Sequence, residues 1–527
     1  MNSPTRLLSI TCVLSLALGC AESMRTSSDE AYTSSEAGTA MDAEAPGAAD
    51  DGDNSAPPEQ EDDFLALRPA QTDIYVFIAN PTRHTVTRVN VHTLAVDTTE
   101  VGANPTEVLT TPDYTTAVVF NEDDDSVTIL DADTLDSFTV VVRPNMNRMV
   151  LSPGGEWAVL WHDVDAEDPE DDNGGLVSYN EVSFIHVATG DFYPMAVGPY
   201  PHGVEFTPQE DLAVVVSDES LALVDLTADD LQPDMVQIVD DLLDPPPAEE
   251  VVVAPDGTYA FVRQFGAEEL VIVDLLTQEV GTVDAGSNPT DLDLTPSGGH
   301  AVVVARDSNE LWLYDVADPF APAEILSLPA EQTSGSIVFD PTGTSAVLYS
   351  TAILQDRYAT WDLTTDEIEV RPLEKPIETL SVSPTGDTLL VFHTVEDATD
   401  ADPASPFYGE PALTMINLVD FRTTPILMPS TVSGYVNSSN GHFGYFIMES
   451  EPILGVLDYA LLMADQIDLT SNPVYVGVIP DLDSADADEP PAWISQEHEL
   501  GRISFYDPDD ESVETITGFE LNSQIEQ

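Results

Sequence analysis

Residues 102–120 read GANPTEVLTTPDYTTAVVF, and residues 286–304 read GSNPTDLDLTPSGGHAVVV. Each has a Gly, a Pro three residues later, a second Pro ten residues after the Gly, and then an apolar run. Self-similarity at a distance is the mark of a repeat architecture. The second Pro recurs at Pro112, Pro153, Pro208, Pro255, Pro296, Pro341 and Pro384, each after an alternating apolar run, in steps of 41 to 55 residues. Weaker copies follow at 431–441 and 473–481.

A second mark runs independently of the first. Alternating strands end in a small polar residue, as in TILD (128–131), VIVD (271–274), WLYD (312–315) and TMIN (414–417), with His186 the exception. Asp and Asn start tight turns by bonding backbone two residues on, so turn-making rather than catalysis is the reading of these carboxylates. One unit then parses as strands at 106–111, 117–121, 126–130 and 137–142. Four antiparallel strands in a unit of this length, repeated radially, make a β-propeller. Ten units are counted in the all-β ring; an eight-bladed ring carrying two insertions is the alternative.

The pattern resembles the bacterial surface propellers named for their YVTN motif. Residues 75–80, YVFIAN, approximate the strand text, and Ala254-Pro255-Asp256-Gly257 keeps the Pro-Asp-Gly turn. The resemblance covers most of 73–527. The first unit shows strands at 73–79, 84–90 and 96–101 with none before them. The chain finishes with VETITG (513–518) and FELNSQ (519–524). The expectation is that this C-terminal strand pairs with the N-terminal strands, supplies the missing inner strand and closes the ring.

The 527-residue chain has 97 acidic residues against 14 basic ones, a formal net charge of −83, and Lys375 is its only lysine. Such a field repels nucleic acid and anionic membrane, so no nucleic-acid partner is expected. Self-repulsion on this scale predicts thermal stability that rises with salt or calcium.

Arg6 and the apolar run 7–18 have the form of a secretory leader, too short to span a bilayer. Leu16-Ala17-Leu18-Gly19-Cys20 resembles a bacterial lipobox, which implies a lipoprotein signal peptide at 1–19 and lipidation (palmitate) of Cys20. Ordinary secretion with an incidental Cys20 is the alternative. Cys12 is the only other cysteine, so the mature chain forms no internal disulfide. Residues 20–72, rich in Ala, Ser, Glu, Asp and Pro, read as a disordered acidic tether ahead of the propeller at 73–527. The expected location is the cell envelope, at the outer membrane, with contact to membrane through the lipid alone.

No nucleophile elbow, zinc-protease, Walker or paired Cys motif is present, so no catalytic residue is assigned. In propellers the start of each inner strand faces the mouth of the central channel. The position five before the marker Pro, with its neighbour His202, gives Glu107, Arg148, His202, Glu250 and Asp291 as candidate ligand contacts. GPYPHGVEFTP around His202 is similar to the Pro-His-Gly turns of some propeller lactonases and lyases. The acidic loops at 122–125, 163–173, 396–402 and 481–489 are candidates for calcium, above all Asp481, Asp483, Asp486 and Asp488 in the last. These residues support a binding or scaffold module for a protein, glycan or cation. The alternative is an exported lactonase-like or lyase-like hydrolase with a metal at the channel mouth.

Overall fold

The computed structural model describes residues 69–164, 179–228, 230–239, 246–399, 401–480, 490–519 and 525–526. These residues form ten antiparallel sheets in chain order. Their spans are 70–100, 105–141, 148–196, 201–237, 248–284, 289–327, 336–372, 377–427, 432–468 and 473–517. They are blades 1 to 10, with strands lettered a to d in order along each. Ten sheets settle the count: no unit is an insertion on a smaller ring. Among the described residues helix is confined to short 3-10 turns such as Pro81–Arg83.

Strand a of one blade touches strand a of the next, as in blades 5 to 8, so the a strands line the centre. Strands b and c are almost wholly buried. Strand d is largely exposed, as in blade 2, where Ser137–Val141 has no fully buried residue. Period-two alternation sends successive residues of strand b to opposite neighbours. In blade 4, Ala213 and Val215 pack with blade 3, whereas Val214 and Val216 pack with blade 5. The apolar core is therefore ten separate clusters, one at each junction between consecutive blades.

The tenth junction closes the ring, and not as the sequence suggests. Strand a of blade 1 is Ala70–Gln71, supplied by the N-terminal side and paired with strand b through Ala70–Phe77 and Gln71–Val76. The C-terminal Ile525–Glu526 pairs with strand d of blade 10 as a fifth, outer strand. Closure is by side chains. Val76 and Val89 of blade 1 pack with Trp493, Ile503, Phe505, Ile516 and Phe519 from the C-terminal side. Residues 520–524 lie outside the described residues.

The repeat marks have a physical cause. At five of the seven marker prolines the preceding residue is a buried Thr or Ser whose hydroxyl accepts the N–H five residues on; Asp340 does this with a carboxylate in blade 7, and Ala254 stands there in blade 5. Thr116 N donates to Thr111 Oγ1 at 3.2 Å, Leu212 N to Thr207 Oγ1 at 3.2 Å and Thr388 N to Ser383 Oγ at 3.1 Å. The residue three past that position is left-handed, usually Gly (Gly155, Gly257, Gly298, Gly343, Gly386, Gly441), but Tyr114 and Glu210 in blades 2 and 4. Strand-ending Asp and Asn form the expected turns: Asp131 Oδ1 accepts from Thr134 N at 2.8 Å and Asn417 Oδ1 from Asp420 N at 2.9 Å. The Asn ending strand b ties that strand to c, with Asn121 Nδ2 donating to Thr128 Oγ1 at 3.0 Å. Gly102 of the opening motif lies against this side chain, where a Cβ would stand 2.7 Å from Asn121 Cγ.

Candidate functional site

Strand a enters at the channel mouth through a bulge. In blades 2, 4, 5 and 6 its register slips by one residue, between Pro105 and Glu107, Pro201 and Gly203, Ala248 and Glu250, and Pro289 and Asp291. A bulge re-aims side chains. The bulged Thr106, His202, Glu249 and Thr290 are partly exposed, while Glu250 and Asp291, one residue on, are buried. Reading a fixed distance back from the Pro therefore selects, in blades 5 and 6, buried residues in place of the partly exposed bulged ones.

Two of the five candidate mouth residues come together. Arg263, buried on strand b of blade 5, donates from Nε to Glu250 Oε2 at 2.9 Å and from a terminal nitrogen to Glu249. Burial alone would lower the Arg263 pKa, but Glu250, Glu249 and Asp291 hold it above its ordinary value. Asp291 Oδ2 accepts Ile337 N of blade 7 at 2.6 Å. On the other side, Glu205 of blade 4 is pushed up to about 8 by burial and then by the Glu250 charge. Blades 4 to 7 thus share a charged wall: Glu250 holds Arg263 within blade 5, and Asp291 ties blade 6 to blade 7.

The remaining three stand apart, each with a local partner or setting. Arg148 Nε lies 3.8 Å from Asp163 Oδ2 in its own blade. His202 Nδ1 lies 3.1 Å from Tyr200 O and 3.7 Å from Asp218 Oδ1, and its Nε2 is closed off from solvent. Glu107 is partly exposed on strand a of blade 2.

The described acidic loops spend carboxylates on backbone. Asp124 Oδ2 accepts Ala103 N at 2.6 Å, and Asp125 Oδ1 accepts Asn145 N at 2.9 Å across to the approach of blade 3. Asp397 accepts Lys375 Nζ at 3.1 Å and Gly409 N at 2.8 Å. Among the described residues no group of three His, Cys, Asp or Glu is placed to share a cation. Asp481, Asp483, Asp486 and Asp488, most of the 163–173 loop, and Cys20 lie outside the described residues. Among the described residues no helix is long and apolar enough to cross a membrane.

A recess lies elsewhere on the mouth, at the seam between blades 10, 1 and 2. Because strand a of blade 1 has only two residues, the far half of its strand b, Ile78–Asn80, has no inner neighbour among the described residues. A cavity of about 260 Å³ opens there. Its apolar wall includes Ile78, Ala79, Val108 and Phe519, and its polar wall includes Thr106, Tyr475, Ser495, His498 and Arg502. Thr106 and Val108, the neighbours of Glu107, line it. Arg502 Nε donates to Thr517 Oγ1 at 3.1 Å, and its NH1 donates to Ser471 Oγ at 2.9 Å. His498 Nδ1 accepts Leu500 N at 3.1 Å, which leaves the ring proton on Nε2. Sequence reasoning missed these residues because they occur once; the only trace is Arg502 opening strand c of the last blade, Arg502–Asp507.

No model of a known protein family matches the chain, and no curated protein matches it in sequence. Many solved structures are similar in fold. A crystal structure of the eukaryotic initiation factor has a TM-score of 0.51 at 11% identity, over 76% of this chain and 97% of that one. Dihydro-heme d1 dehydrogenase NirN in complex with DHE has a TM-score of 0.44 at 13% identity, over 67% of this chain and 73% of that one. A putative 6-phosphogluconolactonase from Bacteroides uniformis has a TM-score of 0.35 at 16% identity, over 57% and 92%. At 11% identity the likeness to the initiation factor structure is one of fold alone; the ten-bladed propeller itself rests on the ten sheets of this chain.

Proposed function

We propose that this chain is a binding or scaffold module of the bacterial cell envelope, a lipoprotein of the YVTN-propeller kind. It is held by a lipid on Cys20 and carried off the outer membrane by the acidic 20–72 tether. Its ligand is a protein or glycan that docks on the mouth face of the ring. The observation that carries this reading is the engagement of the mouth candidates: Arg148 faces Asp163, Glu250 grips Arg263, and Asp291 accepts a backbone N–H of the next blade. Groups so engaged hold a rigid platform and leave little freedom for acid–base chemistry. Calcium held by Asp481, Asp483, Asp486 and Asp488 fits this reading as a loop-stiffening ion.

Metal analysis of purified protein, joined to a turnover screen on lactones and a pull-down from envelope extracts, tests the proposal. Specific capture of an envelope protein or glycan without turnover supports it. Lactone hydrolysis that falls on changing Glu107, His202 or Glu250 overturns it in favour of an enzyme.

A further inference from the structure

We infer that the seam cavity is a binding site for a small carboxylate with a short apolar tail, a site independent of the macromolecular partner proposed above. Charge is the starting point. In a chain with 97 acidic residues, cationic side chains are expected to be neutralised. Arg88, Arg148, Arg263, Arg371 and Lys375 each meet a carboxylate. Arg502 does not: among the described residues its contacts are the hydroxyls of Thr517 and Ser471. Those two bonds fix the guanidinium plane and leave its other terminal nitrogen unengaged. A planar guanidinium held this way is prepared to take a carboxylate.

The rest of the lining sets the ligand class. His498 carries its proton on Nε2 and adds a second donor at the rim. Ile78, Ala79, Val108 and Phe519 offer an apolar wall for a tail. The cavity, about 260 Å³, lies just under the roughly 300 Å³ at which small-molecule sites begin, so the ligand is small. Its location has a cause in the sequence: the two-residue inner strand of blade 1 leaves a gap that the neighbouring blades do not have.

The test is calorimetric titration of the full chain with hexanoate, and with hexan-1-ol as the neutral control, in 0.15 M salt. There the Debye length is about 8 Å and distant surface carboxylates are screened. Hexanoate is expected to bind one to one, at least tenfold more tightly than hexan-1-ol. Arg502→Gln should weaken hexanoate at least tenfold, and His498→Ala several-fold, while the exposed control Arg422→Gln leaves it unchanged. Circular dichroism confirms that each variant is folded, and His498→Ala carries the test if Arg502→Gln does not fold. Absence of hexanoate binding to the folded chain, equal binding of hexan-1-ol, or unchanged affinity in the folded variants overturns the inference.

Discussion

Tyr114 and Glu210 sit at φ near 59 and 53, where six other blades place Gly in the same turn. An L-residue in this region carries a cost of roughly 1–2 kcal/mol. Glu210→Gly should therefore stabilise the ring, by about 1 kcal/mol once the greater freedom of Gly in the unfolded chain is set against the relief. Urea denaturation measures it, and a loss of stability would show that Glu210 makes contacts worth more than its strain. Glu205 makes a pH prediction. Its carboxyl is raised to about 8 from an ordinary 4.5. Between those values the unfolded chain releases this proton while the ring retains it, so stability falls as pH rises through the window. Glu205→Gln should match the parent near pH 4 and exceed it by an amount on the order of a few kcal/mol near pH 8.5. A difference that does not change with pH would mean that Glu205 titrates normally. At this scale the sequence was partly legible. Turn residues announced themselves by recurring; the one-residue bulge shifted the mouth positions without leaving any mark in spacing, and Arg502 had no repeat to reveal it.

Blades 9 and 10 show why the repeat text decays while the blade persists. In these two blades glycine lies under an aromatic ring. Gly455 pairs across the strands with Phe446, Gly477 pairs with Trp493, and Gly444 makes room for the Tyr459 hydroxyl. Buried Tyr435 and Tyr459 share Asn437 Oδ1, and burial raises both phenol pKa values. A ring packed over a glycine fills a strand-pair surface with different letters, so strand spacing can persist where the motif text does not. Gly477→Val would drive a branched side chain into the Trp493 indole and should destabilise the chain by about 1–3 kcal/mol. An unchanged unfolding midpoint would show that the indole swings aside freely. The count of ten, the four-strand unit and the strand bounds were legible because turn chemistry and period agree. Ring closure was not, since two short terminal strands carry almost no periodic signal.

The whole molecule is a cycle of ten blade-to-blade cores, and the last core joins Val76 and Val89 to Trp493, Ile516 and Phe519. Closure by packing rather than by strand exchange goes with an edge at Ile78–Asn80 that, among the described residues, faces a cavity. The two modes part company when the C-terminus is removed. Deleting 520–527 takes away the outer Ile525–Glu526 pairing. Phe519→Ala removes a buried ring from the seam and should cost about 3–5 kcal/mol. The direct measurement is urea unfolding of the 520–527 deletion beside Phe519→Ala and the parent. Packing closure predicts that the deletion loses less than about 1 kcal/mol, as expected away from core contacts, while Phe519→Ala loses several times more. A deletion as damaging as Phe519→Ala, or one that fails to fold, would contradict it and return the C-terminal segment to the inner edge of blade 1.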